Sequence, residues 1–448
     1  MARIFSISGL RGIAFKDLNY SSAGFYAQVY AIFLNAKKMV VGYDTRKSFS
    51  QIGGGIIDGF NMMGCNVIDL GIVPTPTVVF MVRKLKADGG AVATASHNPP
   101  EWNGIKFISS RGEFINVQEF RRFSVFLDFF EFNKDKIIEY RRYFGECTEY
   151  ENPYDEHIKA IVNHFKLKNL GLKVGVDGVC GAGSVAFPTL LEMAGCKVYK
   201  IHCSFKPRFP RPPEPIPENI TKLCAFVRKK KLDLGFALDP DGDRLSIVDE
   251  NGNAIGEEKT LALATDFILS RKKGTVVTNL STTMLMEDIT KKYRCPLYRT
   301  KVGEVNVISK MNEVNAVIGG EGNGGVIYPE INRTRDALTG AGIILKFLQT
   351  SGKSLSEIVN SYPEYFMVKD KVDISLKVFE EKKKLIIKNI KGSVDYTDGI
   401  RITTKKYWLH IRPSNTEPIV RIIAEAKDRK KVTGLIASVK EILTNKIV

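Results

Sequence analysis

Ser96 lies in the sequence Thr-Ala-Ser-His-Asn-Pro-Pro, residues 94–100. A proline cannot donate a backbone hydrogen bond and disfavours helical geometry in the residue before it, so this segment cannot continue a helix. The preceding residues 90–93, Gly-Ala-Val-Ala, have the composition of a short buried strand. The sequence therefore predicts a serine hydroxyl held on a stiff turn after a strand, where catalytic groups are common. On its own, such a serine is more typical of an ordinary turn residue that caps a neighbouring backbone group.

Three carboxylates at alternate positions form a second candidate site. Asp239, Asp241 and Asp243 follow the apolar residues 234–238 in the sequence Asp-Pro-Asp-Gly-Asp-Arg. A bound cation would relieve their mutual repulsion, and an all-oxygen donor set suits Mg²⁺ or Ca²⁺. A calcium-binding EF-hand loop fits poorly, because Arg244 stands where that loop needs glycine. Two alternatives stay open here: a solvated acidic turn, and a phosphatase that carries the phosphoryl group on Asp239.

A glycine-rich segment at residues 320–325 offers a carboxylate, Glu321, and an amide, Asn323, among four glycines. Its backbone could approach a ligand closely, and its donors and acceptors suit the vicinal hydroxyls of a sugar. A flexible connector after the predicted strand at 316–318 is the alternative interpretation.

A fourth polar segment, residues 412–418, joins two predicted strands near the end of the chain. It combines a guanidinium, two hydroxyls and an amide, which together could cradle a phosphate. The four candidate ligands are Arg412, Ser414, Asn415 and Thr416. A polar hairpin turn is the alternative.

The elements that must position these residues repeat along the chain. A strand, an amphipathic helix and a second strand recur at residues 39–69, at 172–199 and more weakly at 274–298. Each copy reads as a βαβ unit with a largely parallel sheet. The last eighty or so residues instead show successive strands and a closing helix, typical of an α+β module. We expect domains at 1–147, 148–253, 254–366 and 367–448.

Composition narrows the class of protein. The 448 residues are 44% hydrophobic and 26% charged, which describes a globular protein without a membrane span or signal peptide. Seven cysteines with no C-x-x-C pair predict reduced thiols in a cytoplasmic compartment. The net charge of +17 could serve nucleic acid or small phosphorylated ligands. Because the basic runs lie on predicted amphipathic helices, we favour solvated faces and keep nucleic-acid binding as a lesser alternative.

Together, the four segments and their order resemble the α-D-phosphohexomutase family, which includes phosphomannomutase/phosphoglucomutase and phosphoglucosamine mutase. The resemblance extends from residues 8–12, Ser-Gly-Leu-Arg-Gly, to the segment at 412–418. It is most specific in residues 94–100, 103–106 and 239–244. It implies three related α/β domains and a smaller C-terminal domain around one cleft, in agreement with the repeat.

The resemblance also implies a mechanism. Ser96 would carry a phosphoryl group, and Mg²⁺ would be held by that group with Asp239, Asp241 and Asp243. The phosphoryl group would pass to a hexose 1- or 6-phosphate, giving a hexose 1,6-bisphosphate that turns over and returns its other phosphate to Ser96. The remaining site residues implied are Arg11, His97, Lys106 and Arg244 near the reacting phosphate, Lys301, Glu321 and Asn323 at the sugar, and Arg412, Ser414, Asn415 and Thr416 at the other phosphate.

One departure from the family pattern concerns Gly325. Many relatives have a histidine at this end of the sugar segment, so any proton transfer by that histidine must be absent here or moved, with Lys106 a candidate general acid/base. The Glu-x-Asn-Gly-Gly form resembles the archaeal branch, in which glucose/mannose and glucosamine preferences are hard to separate. We expect small hexose phosphates as partners, no membrane contact, and a monomer or homodimer.

Overall fold

The computed structural model describes residues 4–141, 143–414 and 419–444. Within these residues the chain forms four successive sheets, each covered by helices. Three mixed sheets are followed by one antiparallel sheet. This order confirms the predicted fold class of three α/β domains and a C-terminal α+β domain.

The first sheet carries the predicted serine turn between two of its neighbouring strands. Its elements are β1 (Ile4–Ser6), β2 (Gly9–Ile13), α1 (Tyr20–Leu34), β3 (Lys38–Tyr43), α2 (Phe49–Met62), β4 (Asn66–Ile72), α3 (Thr75–Lys84), β5 (Gly89–Ala93), β6 (Trp102–Ser109), β7 (Glu113–Phe114), α4 (Val117–Phe132) and β8 (Cys147–Glu149). The strand order is β1-β2-β6-β5-β3-β4-β8, with β7 paired to β6. Because β3 and β5 are parallel neighbours, residues 44–46 and 94–100 leave the sheet at the same edge.

The second and third sheets repeat one topology. The second domain contains α5 (Asp155–Phe165), β9 (Lys173–Asp177), α6 (Gly183–Met193), β10 (Lys197–Ile201), α7 (Thr221–Lys230), β11 (Leu234–Leu238) and β12 (Leu245–Val248). The third contains α8 (Glu257–Arg271), β13 (Val276–Asn279), α9 (Leu285–Tyr293), β14 (Leu297–Thr300), α10 (Glu304–Glu313), β15 (Ile318–Glu321), β16 (Gly325–Ile327), α11 (Ala337–Ser351) and α12 (Leu355–Asn360). The strand orders β10-β9-β11-β12 and β14-β13-β15-β16 match each other and the β4-β3-β5-β6 part of the first sheet. The repeat predicted from the sequence therefore corresponds to one strand order that recurs in the first three sheets.

The last sheet is antiparallel throughout. Its elements are β17 (Phe366–Val372), α13 (Leu376–Asn389), β18 (Ser393–Asp395), β19 (Ile400–Thr403), β20 (Tyr407–Pro413), β21 (Val420–Ala426) and α14 (Arg429–Thr444). In the order β17-β21-β20-β19-β18, the neighbouring strands β20 and β21 are the two that the predicted phosphate segment joins along the chain. Buried Val432, Leu435 and Val439 of α14 pack on this sheet, as the three- and four-residue spacing predicts.

Apolar packing fixes the second and third domains against each other. One continuous cluster of buried side chains includes Ile161 of α5, Leu245 of β12 and Leu338 of α11. The strands that carry the predicted metal and sugar segments therefore share a core. Buried Cys65 and Cys196 fill space beside strands, as expected, and none of the seven cysteines, all within the described residues, forms a disulfide. Among the described helices, none has the length and hydropathy to cross a membrane.

Candidate active site

Three of the predicted segments meet where strands of three domains end. Ser96 follows β5, Asp239 follows β11, and Glu321 is the last residue of β15, which extends three residues beyond the predicted strand. Ligands of α/β domains commonly bind at the carboxyl ends of the strands. Hydrogen bonds and ion pairs between the three segments define one buried centre.

Ser96 is held in an unusual conformation at this centre. Its φ is +49°, a left-handed geometry that costs a non-glycine residue about 1–3 kcal/mol. Its backbone N–H donates to the Thr94 hydroxyl at 2.9 Å. The Ser96 side chain is 1% exposed, and its Oγ donates to Asp239 Oδ2 at 3.1 Å and lies 3.4 Å from His97 Nδ1. The predicted stiff turn thus directs the hydroxyl at the carboxylate segment.

The buried Arg46 side chain clamps the serine turn. Its Nη1 and Nη2 atoms donate to four backbone carbonyls of the turn, at Ser96, Asn98, Pro99 and Trp102, over 2.5–2.9 Å. Its Nε donates to Asp44 Oδ2 at 3.0 Å, and that oxygen also accepts from the Thr94 hydroxyl. The end of β3 therefore holds the turn that follows β5. Sequence reasoning missed Arg46, although its place just after a buried strand was a usable signal.

The three aspartates lie buried in one tight cluster. Each offers an oxygen within 4.8 Å of the others. Gly242, with φ +68°, makes the turn between them, and backbone N–H groups of Asp243 and Arg244 donate to Asp239 Oδ1 at 3.1 Å. The buried Oδ1 atoms of Asp241 and Asp243 have no hydrogen-bond partner within the described residues. Unsatisfied carboxylate oxygens in such a cluster fit a hard cation such as Mg²⁺.

Cationic side chains surround this cluster, and the pKa values of its carboxyl groups are shifted in opposite directions. Lys106 Nζ lies 2.8 Å from Asp241 Oδ2 and 3.4 Å from Asp243 Oδ2. Although burial acts to lower it, the pKa of Lys106 is raised by Asp241 and Asp243, so the amine stays charged. Burial and the adjacent Asp243 and Asp241 raise the pKa of Asp239 well above its usual range. Arg335 and Lys106 outweigh burial at Asp243 and hold the pKa of that carboxyl well below its usual range.

Two arginines and a histidine complete the predicted catalytic group. Arg11 Nη1 donates to Asn98 Oδ1 at 2.7 Å, so it lies beside the serine turn. Buried Arg244 pairs with Glu214 at 2.6 Å and lies 3.8 Å from Asp243. Burial, reinforced by Arg244 and Arg11, lowers the pKa of His97 well below its usual value. His97 is therefore a neutral ring, in which one nitrogen can accept a hydrogen bond.

The predicted sugar segment, residues 320–325, reaches the same centre through Glu321. Asn279 Nδ2 and the Gly303 N–H donate to Glu321 Oε1, each at 2.9 Å. Arg335 Nη1 donates to Glu321 Oε2 at 2.8 Å, and Asn323 Nδ2 lies 3.4 Å from that oxygen. Arg335 also pairs with Asp243 of the metal segment. Sequence reasoning missed Arg335, because nothing in residues 333–336 marks it as facing a site.

Arg412, one of the predicted phosphate residues, lies apart from this centre, at the junction of the third and fourth domains. Arg412, in β20, donates to Asp398 Oδ2 at 3.1 Å. The same oxygen accepts from the Val302 N–H at 3.0 Å, which brings the Arg412 strand beside exposed Lys301. Ser414 follows β20. The predicted ligands Asn415 and Thr416 lie outside the described residues.

Four sequence profiles match successive parts of the chain. They are described as phosphoglucomutase/phosphomannomutase alpha/beta/alpha domain I at residues 2–121, domain II at 152–252, domain III at 256–365, and C-terminal domain at 367–442. Their order follows that of the four sheets.

Similar proteins extend over the whole chain. A phosphoglucomutase/phosphomannomutase of Thermococcus kodakarensis is 37% identical, with 96% of each chain covered. A phosphoglucosamine/phosphogalactosamine mutase of Sulfurisphaera tokodaii is 31% identical, with 100% of each chain covered. The crystal structure of a phosphoglucomutase/phosphomannomutase family protein from Burkholderia thailandensis has the same fold, with a TM-score of 0.85, 24% identity and 98% of each chain covered.

Proposed function

The chain belongs to the phosphoglucomutase/phosphomannomutase family, and we propose that it is a Mg²⁺-dependent phosphohexomutase working through phosphoserine 96. The reaction would interconvert hexose 1-phosphate and hexose 6-phosphate. The observation that carries the proposal is the buried Ser96 Oγ, 3.1 Å from Asp239 and held by a turn clamped from β3. A hydroxyl fixed among carboxylates and cations suits phosphoryl transfer, which depends on positioning and charge stabilisation.

Asp239, Asp241 and Asp243 would hold the Mg²⁺ together with the Ser96 phosphoryl group. The ion would neutralise charge on the transferring phosphoryl oxygens. The two unsatisfied carboxylate oxygens support this assignment, because burial without a partner is costly for them. Lys106, already charged and close to Asp241, would add a second positive group on the same side.

The chain's own residues account for the proton movements. When the phosphoryl group leaves Ser96 Oγ for a sugar hydroxyl, one P–O bond breaks, another forms, and a proton passes from the sugar to the serine oxygen. Lys106 Nζ is our candidate general acid/base for that exchange. In the return step the P–O bond to the sugar breaks, the phosphoryl group bonds to Ser96 Oγ, and the serine proton passes back to the sugar oxygen; Asp239 Oδ2, 3.1 Å from Ser96 Oγ, would orient the hydroxyl for that step.

The sugar would bind in two opposite orientations, with a hexose 1,6-bisphosphate between them. Glu321, Asn323 and Lys301 would contact its hydroxyls in both orientations. Arg412, Ser414, Asn415 and Thr416 would hold the phosphate that is not being transferred. The added bisphosphate should act as an activator, because it can phosphorylate Ser96 in an enzyme that has lost the group.

Glucose and mannose phosphates are our leading substrates, since the 37% identical relative is named for both. Glucosamine phosphate is the second candidate, supported by the 31% identical relative. We place the reaction in the cytoplasm and propose a monomer or homodimer. A panel of glucose, mannose and glucosamine 1-phosphates, each with and without glucose 1,6-bisphosphate, distinguishes the candidate substrates.

A phosphotransferase that uses Asp239 as its nucleophile is less well supported. Two backbone N–H groups hold Asp239 Oδ1, and Oδ2 faces the Ser96 hydroxyl. Intact-protein mass with peptide mapping tests the point: a stable phosphoryl group on Ser96 supports the mutase. Full mutase turnover by Ser96→Ala would reject it.

A further inference from the structure

Arg335 joins three acidic segments that are distant in sequence. It lies between β16 and α11 and is 8% exposed. Its Nη2 donates to Asp243 Oδ2 at 2.5 Å and its Nη1 to Glu321 Oε2 at 2.8 Å. Its Nε lies 3.3 Å from Glu304 Oε2. One guanidinium therefore ties the metal segment to the sugar segment.

Gly325 provides the space that this side chain occupies. A Cβ at position 325 would lie 2.3 Å from Arg335 Cδ and 2.8 Å from Arg335 Cγ, both closer than side-chain atoms approach. Gly325 has no left-handed φ that would by itself exclude other residues. The glycine is therefore required by the approach of Arg335. The arginine cannot simply swing away, because carboxylates hold its head.

We propose that Arg335 is a positioning residue, which fixes the sugar-binding carboxylate of Glu321 relative to the metal carboxylate of Asp243, and that glycine at 325 makes this possible. The inference rests on the proposed function, since it assigns a role within that site. It also accounts for the departure at Gly325, because the arginine fills the volume that a side chain there would need.

The contacts of Glu321 indicate what the loss of Arg335 would do. Asn279 and Gly303 hold Oε1, whereas Oε2 depends on Arg335 and on the longer contact with Asn323. A backbone hydrogen bond from Leu245 to Gly324 independently joins the same two segments at 3.0 Å. Removing the guanidinium should thus turn the Glu321 carboxylate while the segments stay together. Sugar binding should suffer more than folding.

The test combines the single variants Arg335→Ala and Gly325→Ala with their double variant, and adds Arg335→Lys as the conservative change. Arg335→Ala should raise KM for the hexose phosphate at least tenfold, with a smaller fall in kcat, and Arg335→Lys should recover part of the loss. Gly325→Ala should raise KM in the same direction without removing any charge, because its methyl group displaces Arg335. In the double variant, Gly325→Ala should add less than twofold to the effect of Arg335→Ala, since nothing remains to displace.

The role of Arg335 and the proposed function can fail separately, and a control variant is available. Arg333→Ala is the matched control, because Arg333 pairs with Glu113 outside this cluster at 2.9 Å; it should leave KM unchanged. An unchanged KM in Gly325→Ala, or independent effects in the double variant, would overturn the role of Arg335. If Arg335→Ala does not fold, Arg335→Lys and Gly325→Ala decide the question alone. A wild-type protein without turnover of any hexose phosphate would instead reject the proposed function.

Discussion

Replacing Arg46 by lysine should disable the enzyme through the serine turn rather than through the metal segment. The guanidinium donates to four backbone carbonyls of the turn and to Asp44. A lysine ammonium keeps the charge but offers three donors on a single atom, without the planar fork of arginine. If it retains the pair with Asp44, it can reach at most two of the four carbonyls.

The expected magnitude follows from the two bonds that are lost. Hydrogen bonds to charged groups contribute about 1.5–3 kcal/mol each, so the turn loses roughly 3–6 kcal/mol of support. In the wild-type protein, these hydrogen bonds hold Ser96 in its left-handed conformation, which costs about 1–3 kcal/mol. The turn should relax and move the hydroxyl. A barrier increase of about 3 kcal/mol corresponds to a loss of roughly a hundredfold in kcat.

The assay follows mutase turnover and Ser96 phosphorylation after incubation with glucose 1,6-bisphosphate. Arg46→Lys should lower both, whereas the Mg²⁺ concentration for half-activation should change less than about threefold, since no contact in the described residues joins Arg46 to Asp241 or Asp243. Lys47→Ala, at the adjacent exposed position, should behave as wild type. Normal kcat in folded Arg46→Lys would refute the argument that the clamp positions the nucleophile.

Three further changes probe other parts of the site. Asp241→Asn should abolish Mg²⁺-dependent turnover with little change in the circular dichroism spectrum, and unaltered Mg²⁺ activation would remove the carboxylates from the mechanism. Arg412→Ala should raise KM about tenfold while kcat stays within about threefold, because its proposed role is to hold phosphate; a fall in kcat alone contradicts that role. Burial lowers the pKa of His410, which contacts Ser281 at 2.8 Å, to about 4. Because the unfolded chain takes up this proton near pH 6.5, stability is lost as pH falls from about 6.5 towards 4, by roughly 2 kcal/mol between pH 7 and pH 5. Urea unfolding should show a smaller loss over that range in His410→Gln, and an equal loss would exclude His410 as its source.

Local chemistry made part of this site predictable. Ser96, Asp239 and Glu321 each lie at or just beyond the end of a buried strand, and strands that alternate with helices bring such ends to one edge of a sheet. The strand periodicity and the proline and glycine residues could therefore be interpreted without knowledge of the fold. The strand before the sugar segment was predicted at 316–318, too early in the chain, because the glycines at 319 and 320 gave no sign that β15 continues to Glu321.

The contacts between segments could not be predicted in the same way. Arg46 binds carbonyls about fifty residues away, and Arg335 binds a carboxylate ninety-two residues earlier in the chain. Arginine beside a strand or before a helix is most often a solvated surface residue. Only the shared core of the second and third domains, with Leu245 and Leu338 in one cluster, decides that Arg335 faces inward. Such packing depends on the whole fold and leaves no local pattern.

The charges around Ser96 are consistent with the proposal that a metal and a phosphoryl group bind there together. Five buried carboxylates face four cationic side chains, and these nine groups are Asp239, Asp241, Asp243, Glu304, Glu321, Lys106, Arg11, Arg244 and Arg335. A divalent cation alone would leave this poorly solvated centre with excess positive charge, and a phosphoryl dianion alone would leave it with excess negative charge. Bound together, they preserve the balance that the protein already has. On the proposed mechanism, the side chains can therefore keep their positions throughout the reaction, and the sugar is the group that would turn.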